Sequence, residues 1–278
     1  APRLLGRAGT PSMRPRLIAT DLDGTLLDGE GRLSPRSARV LGALAAADVE
    51  VLFVTARPPR WLDELVSAVS DHGTVVCLNG ALVVDAGSGR VLESYPLADT
   101  LVREVLGDLR AALPGSRFAA ERGSGLAIEH EFPARWPVPD ATPAAVRLEE
   151  LLDGATGKLL ARCEVADEEL VERVREVLAG RALVSDSGAP GLAEITAPGV
   201  TKAAGLARWA AARGIEAAEV WAFGDMPNDL EMLRWAGRAC AVANAHPSVL
   251  AVADVVCGPH TEDGVAAYLE ETLLAGRG

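Results

Sequence analysis

No C-x-x-C pair occurs in the chain, and none of its four cysteines (Cys77, Cys163, Cys240 and Cys257) shares a metal-ligand spacing with a nearby histidine. Three of them sit inside apolar runs, where a thiol is usually a small buried hydrophobe, so free thiols in a reducing cytoplasm are expected rather than disulfides. No stretch reaches the roughly 18 apolar residues needed to span a bilayer. The segment before Arg16 carries Arg, Gly and Pro but no apolar h-region of a secretory signal, and residues 1–15 read as a disordered leader. A G-x-S-x-G motif is absent and no cysteine has a suitable histidine context, which removes the usual serine and cysteine hydrolases. The lack of G-x-x-x-x-G-K-[ST] removes a P-loop nucleotide binder. Basic residues are in deficit: 27 Lys and Arg against 39 Asp and Glu give a formal charge of −12. That balance argues against nucleic acid or anionic membrane as a partner. An enzyme of anionic substrates with this charge needs a local reversal of sign, which a bound cation can supply.

What remains is an ordinary globular composition, 49% hydrophobic and 24% charged, in 278 residues, near the length at which one core tends to become two. The strand Arg16 to Thr20 runs into Asp21. A helix follows from Ser34 as N-cap, with Pro35 at its first position, to about Ala47. Apolar strands over Val49 to Val54 and Thr74 to Leu78 flank a helix near Arg60 to Ser70, and Asn79-Gly80 forms a turn. Continuous apolar strands alternating with helices predict a parallel sheet covered on both faces. Between 84 and 191 the rhythm changes to short, often alternating strands (Val91 to Tyr95, Leu126 to Glu131, Lys158 to Cys163, Ala182 to Ser185) and two helices (Asp99 to Leu113, Asp167 to Leu178). Gly- and Pro-rich breaks separate them. This reads as an inserted α+β unit, with 16–83 and 192–278 forming one α/β core around it. The parallel pattern resumes with a helix from Thr201 to Arg213, stopped by Gly214, and the strand Glu219 to Phe223.

Open parallel sheets bind ligands at the carboxyl ends of their strands. Asp21 and Asp23, Thr55, Lys202 and Asp225 all stand at or beside such ends. In Asp21-Leu22-Asp23-Gly24-Thr25 the first carboxylate can act as a nucleophile on phosphorus and the second as general acid and base, with Gly24 allowing the sharp turn. A solvated Asp-Gly turn accounts for the same residues taken alone. An EF-hand does not, because its required glycine and glutamate fall on Leu26 and Arg32. Asp21, the carbonyl of Asp23 and Asp225 form a donor set for Mg²⁺, with Asn228 or Asp229 in support; helix capping is the bland alternative for the last three. Lys202 sits in the first turn of its helix, where the dipole disfavours a cation, so an outside partner such as Asp21 or a phosphate is expected. Thr55 offers a hydroxyl and an N–H to a phosphate oxygen. A surface lysine and a capping threonine remain the ordinary readings of these two.

The ordered set Asp21-Leu-Asp-Gly-Thr25, Thr55, Lys202 and Gly224-Asp-Met-Pro-Asn-Asp229 resembles the four motifs of the haloacid dehalogenase superfamily, from Arg16 nearly to the end of the chain. Asn79-Gly80-Ala81, Gly199-Val-Thr-Lys202, Asn244-Ala245 and Glu262-Asp263-Gly264-Val265 are similar to the Cof-type, subclass IIB phosphatases, whose cap is inserted between the second and third motifs. The resemblance implies a Rossmann-like core with an α+β cap, Mg²⁺ as cofactor, and a phosphatase forming an aspartyl-phosphate on a small phosphorylated metabolite: a sugar phosphate, a nucleotide or a phosphorylated cofactor. It carries over Asp21 as nucleophile, Asp23 as acid/base, and Thr55 and Lys202 as phosphate ligands. The phosphate-binding set extends to Gly24, Ala56, Arg57, Asn79 and Asn228, and the metal set is Asp21, Asp23, Asp225, Asn228 and Asp229. Ala56 stands where the family usually has glycine. Substrate choice is expected on the cap, around Gly123 to Glu131 or Trp136. The implied protein is a cytoplasmic monomer or homodimer. A phosphomutase or phosphotransferase of the same fold and a non-catalytic phosphometabolite binder stay as alternatives; Asp23 speaks against a dehalogenase, which has no alcohol to protonate.

Overall fold

Leu17-Ile18-Ala19 and Val220-Trp221-Ala222-Phe223 are two apolar runs without a charged residue, and both are buried throughout. They lie side by side in parallel, the pairing that is typically buried on both faces. The computed structural model describes residues 3–4, 14–62, 73–163, 167–186 and 189–275. In chain order, β1 is Arg3–Leu4, β2 Leu17–Thr20, α1 Pro35–Ala45, β3 Glu50–Val54 and β4 Thr74–Cys77. A hairpin follows, β5 (Leu82–Asp85) and β6 (Val91–Ser94), then α2 (Asp99–Ala112). Next come β7 (Arg117–Arg122), β8 (Gly125–Glu129), β9 (Ala144–Ala145), β10 (Lys158–Arg162), α3 (Asp167–Leu178), β11 (Leu183–Ser185) and β12 (Ala193–Thr196). The order closes with α4 (Lys202–Ala211), β13 (Val220–Gly224), α5 (Leu230–Trp235), β14 (Arg238–Ala241), α6 (Pro247–Leu250), β15 (Val255–Val256) and α7 (Gly264–Leu269).

Among the described residues the strands form two sheets, in the orders β1-β15-β14-β13-β2-β3-β4-β5-β6 and β11-β12-β10-β7-β8-β9. In the first, the strands from β15 to β4 are parallel, making an α/β, Rossmann-like core. Its chain enters at β2 in the middle and builds outward on both sides, so the crevice beyond the β2 and β13 carboxyl ends is the topological switch point. The second sheet is antiparallel except for its β8–β9 edge pair. Strand period two divides its faces: Phe118, Ala120, Leu159, Ala161, Ala193 and Ile195 pack with the apolar sides of α2 and α3. Glu121, Lys158, Leu160 and Glu194 point the other way, and Lys158 sits across from Glu121 in the β10–β7 register.

Local chemistry sets the helix starts. The Ser34 hydroxyl accepts the Ser37 N–H at 3.0 Å with Pro35 in the first position, and the Thr201 hydroxyl accepts the Ala204 N–H at 3.1 Å. Both caps lie where the sequence predicts them. Several expectations need correction. The strand Val91 to Tyr95 belongs to the first sheet, since β6 pairs with β5 and β5 with β4. A boundary at residue 84 would cut β5, whose Leu82, Val83 and Val84 are buried in the first core. At the far end, β12 pairs with β10 and β11 and thus belongs to the second sheet, not to the resumed parallel pattern. β7 and β12 escape a reading by alternation because buried charges, Glu121, Arg122 and Glu194, occupy positions that pattern assigns to apolar residues. Within the expected leader, Arg3–Leu4 pairs antiparallel with β15, an otherwise open sheet edge. Of the helix expected near Arg60 to Ser70, a single turn over Pro59–Trp61 is seen, and residues 63–70 lie outside the described residues.

The turn after β4 shows where side chains are forbidden. Gly80 has φ 105°, and a Cβ there would overlap the Thr201 carbonyl oxygen, so β4 meets the start of α4 at backbone contact. Gly80→Ala is expected to lower the unfolding free energy by about 2–4 kcal/mol through strain and overlap, measured by urea denaturation; a loss under about 0.5 kcal/mol would show that the two backbones can separate freely.

Candidate active site

Three strand ends and the start of one helix converge at the switch point. Asp21 follows β2 directly, and its N–H donates to the Phe223 carbonyl at 3.0 Å, fastening it to β13. Thr55 follows β3, its N–H bonded to Val76 O at 2.8 Å, and the Asn79 N–H donates to Thr55 O at 3.1 Å. Asp225 follows β13. Lys202 begins α4, which Gly80 brings against β4. The structure therefore brings Asp21, Thr55, Asn79, Lys202, Asp225, Asn228 and Asp229 to one end of the sheet.

At the centre the Lys202 ammonium lies 2.9 Å from Asp21 Oδ2 and 2.7 Å from Asp229 Oδ1, all three groups being almost wholly buried. This is the outside partner that a cation in a first helical turn requires. Asp229 spends its other oxygen on the N–H groups of Asp225 (3.0 Å) and Met226 (3.1 Å), bracing the β13–α5 loop. Asp21 Oδ1 accepts the Leu22 N–H at 2.7 Å, and Asp225 Oδ1 accepts the Thr25 hydroxyl at 2.7 Å. Oxygens of Asp21, Asp225 and Asp229 lie within 4.8 Å of one another. Gly24, at φ 70°, makes the approach possible, because a Cβ there would overlap the Asp225 carboxylate. Two supports of this turn stand in motifs quoted above but were not expected in the site: Thr25, and Asn244, whose Nδ2 donates to the Gly24 carbonyl at 2.8 Å while its Oδ1 accepts the His260 N–H at 3.0 Å.

Asp23 is set apart from this trio. Its carboxylate, about half exposed, is gripped bidentately by Arg57 through Nε (2.8 Å) and Nη2. The Arg57 N–H donates to the Thr55 hydroxyl at 3.0 Å, so Thr55, Ala56 and Arg57 form one tight loop beside the carboxylates. Asn228 Nδ2 approaches Asn79 Oδ1 at 3.4 Å, and Asn79 Nδ2 donates to Glu194 of the second sheet at 3.1 Å. Lys158 bridges the same gap, donating to the Ala56 carbonyl at 2.8 Å and to Glu194. Between the sheets lies a cavity of about 590 Å³, reached by Asp21, Asp23, Thr55, Ala56, Arg57 and Asn228 on one side. Trp136 lines it as expected; residues 123–131 do not.

Burial is the main reason the Asp21 carboxyl is held well above the ordinary carboxylate range; Lys202 opposes the shift, while Asp229 and Asp225 add to it. Burial likewise lifts Asp225 to about 6, with the Thr25 hydrogen bond opposing and Asp229 adding. Burial alone would push Lys202 down, but the two carboxylates beside it raise it overall. One ammonium thus offsets three carboxylates, and the trio is short of positive charge. The residues present fit a hard divalent cation: three buried acidic side chains within reach of one point, and a buried Asn228 Oδ1 without a partner among the described residues.

A family model described as haloacid dehalogenase-like hydrolase matches residues 18–269. Pyridoxal phosphate phosphatase YbhA of Escherichia coli (strain K12) is 26% identical, over 94% of this chain and 100% of its own. The 5-amino-6-(5-phospho-D-ribitylamino)uracil phosphatase YitU of Bacillus subtilis (strain 168) is 31% identical, over 93% of this chain and 97% of its own. Among solved structures, the HAD-superfamily phosphatase BT1666 from Bacteroides thetaiotaomicron aligns with a TM-score of 0.80 at 26% identity, covering 96% of this chain and 98% of that one. No helix among the described residues is long and apolar enough to cross a membrane.

The raised Asp225 has a measurable consequence. Because its folded value lies above its unfolded one, the cation-free protein binds the extra proton more tightly when folded. Its contribution is most favourable at low pH and is lost as pH climbs from about 4 to about 6. A cation competes with that proton, so a divalent cation is expected to raise the melting temperature at pH 7.5 and to do so progressively less below about pH 6. Differential scanning fluorimetry across pH 5–8, with and without the cation, checks this; a pH-independent increment would contradict it.

Proposed function

This chain belongs to the haloacid dehalogenase-like hydrolases, and from that premise we propose that its buried carboxylate–amine cluster hydrolyses small phosphomonoesters with Mg²⁺, through a phosphoryl group carried transiently on Asp21. The observation that carries the assignment is the Lys202 ammonium held between Asp21 and Asp229 at the switch point of the sheet. YbhA and YitU, by name, act on small phosphorylated compounds and match nearly the whole of this chain.

Asp21 is positioned for attack. Its Oδ1 is fixed by the Leu22 N–H and its Oδ2 by Lys202, so the carboxylate loses little freedom when substrate arrives. Lys202 remains charged and offsets the repulsion between this carboxylate and an incoming phosphate dianion. Asp21, the Asp23 carbonyl and Asp225 would hold Mg²⁺ with Asn228 and Asp229 in support, and the bound ion would supply the positive charge that draws nucleophile and phosphate together. The Thr55–Arg57 loop and Asn79 offer donors to the phosphate oxygens. Asp23 hands its proton to the departing alcohol as the bond to phosphorus breaks, then takes one from the water that attacks the aspartyl-phosphate. That second attack frees orthophosphate and restores Asp21. For this Asp23 must leave Arg57, and a half-exposed ion pair of this kind is worth only about 0–1 kcal/mol. We place the second sheet and its helices as the cap over this chemistry. The four free cysteines fit a cytoplasmic location.

Asp21→Asn retains the shape of the site but not the nucleophile, and is expected to lower turnover of p-nitrophenyl phosphate by at least about a thousandfold while circular dichroism stays unchanged. EDTA should silence the wild type and added Mg²⁺ restore it. Near-normal turnover by the variant would remove Asp21 from the mechanism, and indifference to chelation would remove the metal.

A further inference from the structure

The half of the cavity away from Asp21 is built differently from the half beside it. Its charged side chains are all committed to each other. Arg60 and Glu121 form a bidentate pair, with Arg60 Nε 3.1 Å from Glu121 Oε2 and Nη2 on Oε1, and the Glu121 side chain is only 2% exposed. Lys158 is taken up by Glu194 and the Ala56 carbonyl, and the second oxygen of Glu194 by Asn79. Among the described residues each of these acids has its base, each is buried, and none is left to greet a charged ligand. An anionic leaving group would have to pull Arg60 or Lys158 from its partner and strand a buried carboxylate.

Apolar surface fills the rest, and two indoles dominate it. Trp61 and Trp136 both line the cavity and meet edge to face, ring centroids 5.7 Å apart and planes at 82°. Trp61 is 39% exposed, in a chain that exposes few large apolar side chains among its described residues. Arg60 stacks 4.6 Å from the Trp61 centroid and Phe132 backs Trp136 at 6.1 Å, so both rings are braced in place. Leu160 and Leu192 continue the wall. A volume of about 590 Å³ lies in the range of roughly 300–1,000 Å³ typical of sites for ring-sized ligands. A two-carbon ester would leave most of it filled with water against tryptophan.

We propose that this site selects phosphomonoesters whose leaving alcohol carries a flat, uncharged ring, and that Trp136 with Trp61 recognises that ring. This rests on the phosphatase reading above and narrows it: alcohols bearing a carboxylate or a second phosphate are disfavoured by the paired charges, and small acyclic alcohols by the unfilled aromatic wall.

Three esters separate the contributions: benzyl phosphate, methyl phosphate and phosphoglycolate, with kcat/KM measured for the wild type, Trp136→Ala and Trp136→Phe. The wild type is expected to favour benzyl phosphate over each of the others by about tenfold or more, the scale of a buried aromatic contact. Trp136→Ala should shrink the benzyl-to-methyl ratio about tenfold, chiefly through KM, and Trp136→Phe should keep most of it. Titration calorimetry with benzylphosphonate, methylphosphonate and phosphonoacetate reads the same preference without turnover. Equal kcat/KM for benzyl and methyl phosphate, or a Trp136→Ala that lowers all three esters alike, overturns the ring site and leaves the phosphatase standing. Silence on all three esters, with benzylphosphonate still bound at least tenfold tighter than methylphosphonate, supports the ring site and overturns the phosphatase instead.

Discussion

A single ammonium group keeps this site assembled. Lys202 Nζ is shared by Asp21 and Asp229, and those two residues belong to loops that leave different strands, β2 and β13. Without it three carboxylates, all nearly devoid of solvent, would face each other across less than 5 Å. Every neighbouring feature follows from keeping that ammonium in place. The Thr201 cap starts α4 one residue before it, and Gly80 lets α4 press against the β4 turn. Asp229 in turn uses its second oxygen to brace the loop that presents Asp225. The helix dipole works against Lys202, so the arrangement holds because two carboxylates outweigh it.

The same balance explains why the cluster is reactive rather than merely stable. A structural ion pair tends toward one acid per base; here one base serves three acids. Burial lifts Asp21 and Asp225 above their ordinary range, the neighbouring carboxylates add to the shift, and an additional cation would relieve it. Stability is thereby set aside at the one place where the proposed mechanism brings a cation and a phosphate together.

Much of this was legible from residue order alone, and the reason is chemical. Asp21, Thr55 and Asp225 are polar residues standing where apolar strands end, and a parallel sheet collects such ends at one edge, while Lys202 is a cation in a first helical turn that needs a partner. Ser34 and Thr201 were legible as caps because a hydroxyl before a helix has one common use. Three things were not legible. The orientation of Asp23 depends on Arg57, a contact made across two loops that no spacing encodes. The hairpin of β5 and β6 reads as part of the insert because antiparallel pairing looks the same in either sheet. The cavity wall was hidden for a third reason. Glu121, Lys158 and Glu194 are charged strand residues, and a pattern reading treats such residues as solvent-facing; they are buried because Arg60 neutralises Glu121 and Lys158 neutralises Glu194.

That mutual neutralisation also answers how a protein of formal charge −12 can house an anion. The negative surface is irrelevant at short range if the cavity itself is zoned. At its β-strand end the uncompensated charge is concentrated in one carboxylate cluster with a lysine and capacity for a cation, so the field there is strong and local. On the opposite wall Glu121 and Glu194 are matched by Arg60 and Lys158, so the field is cancelled on the side that the proposal gives to the leaving group. A ligand with one charged end and one neutral end is the shape that such a potential fits in a single orientation. On the proposed reading electrostatics would set the orientation, and the aromatic wall would have only to distinguish among neutral groups. In the mechanism proposed above the two halves of the cavity thus divide the labour: the core would fix the phosphorus atom against Asp21, and the second sheet would read what is attached to it.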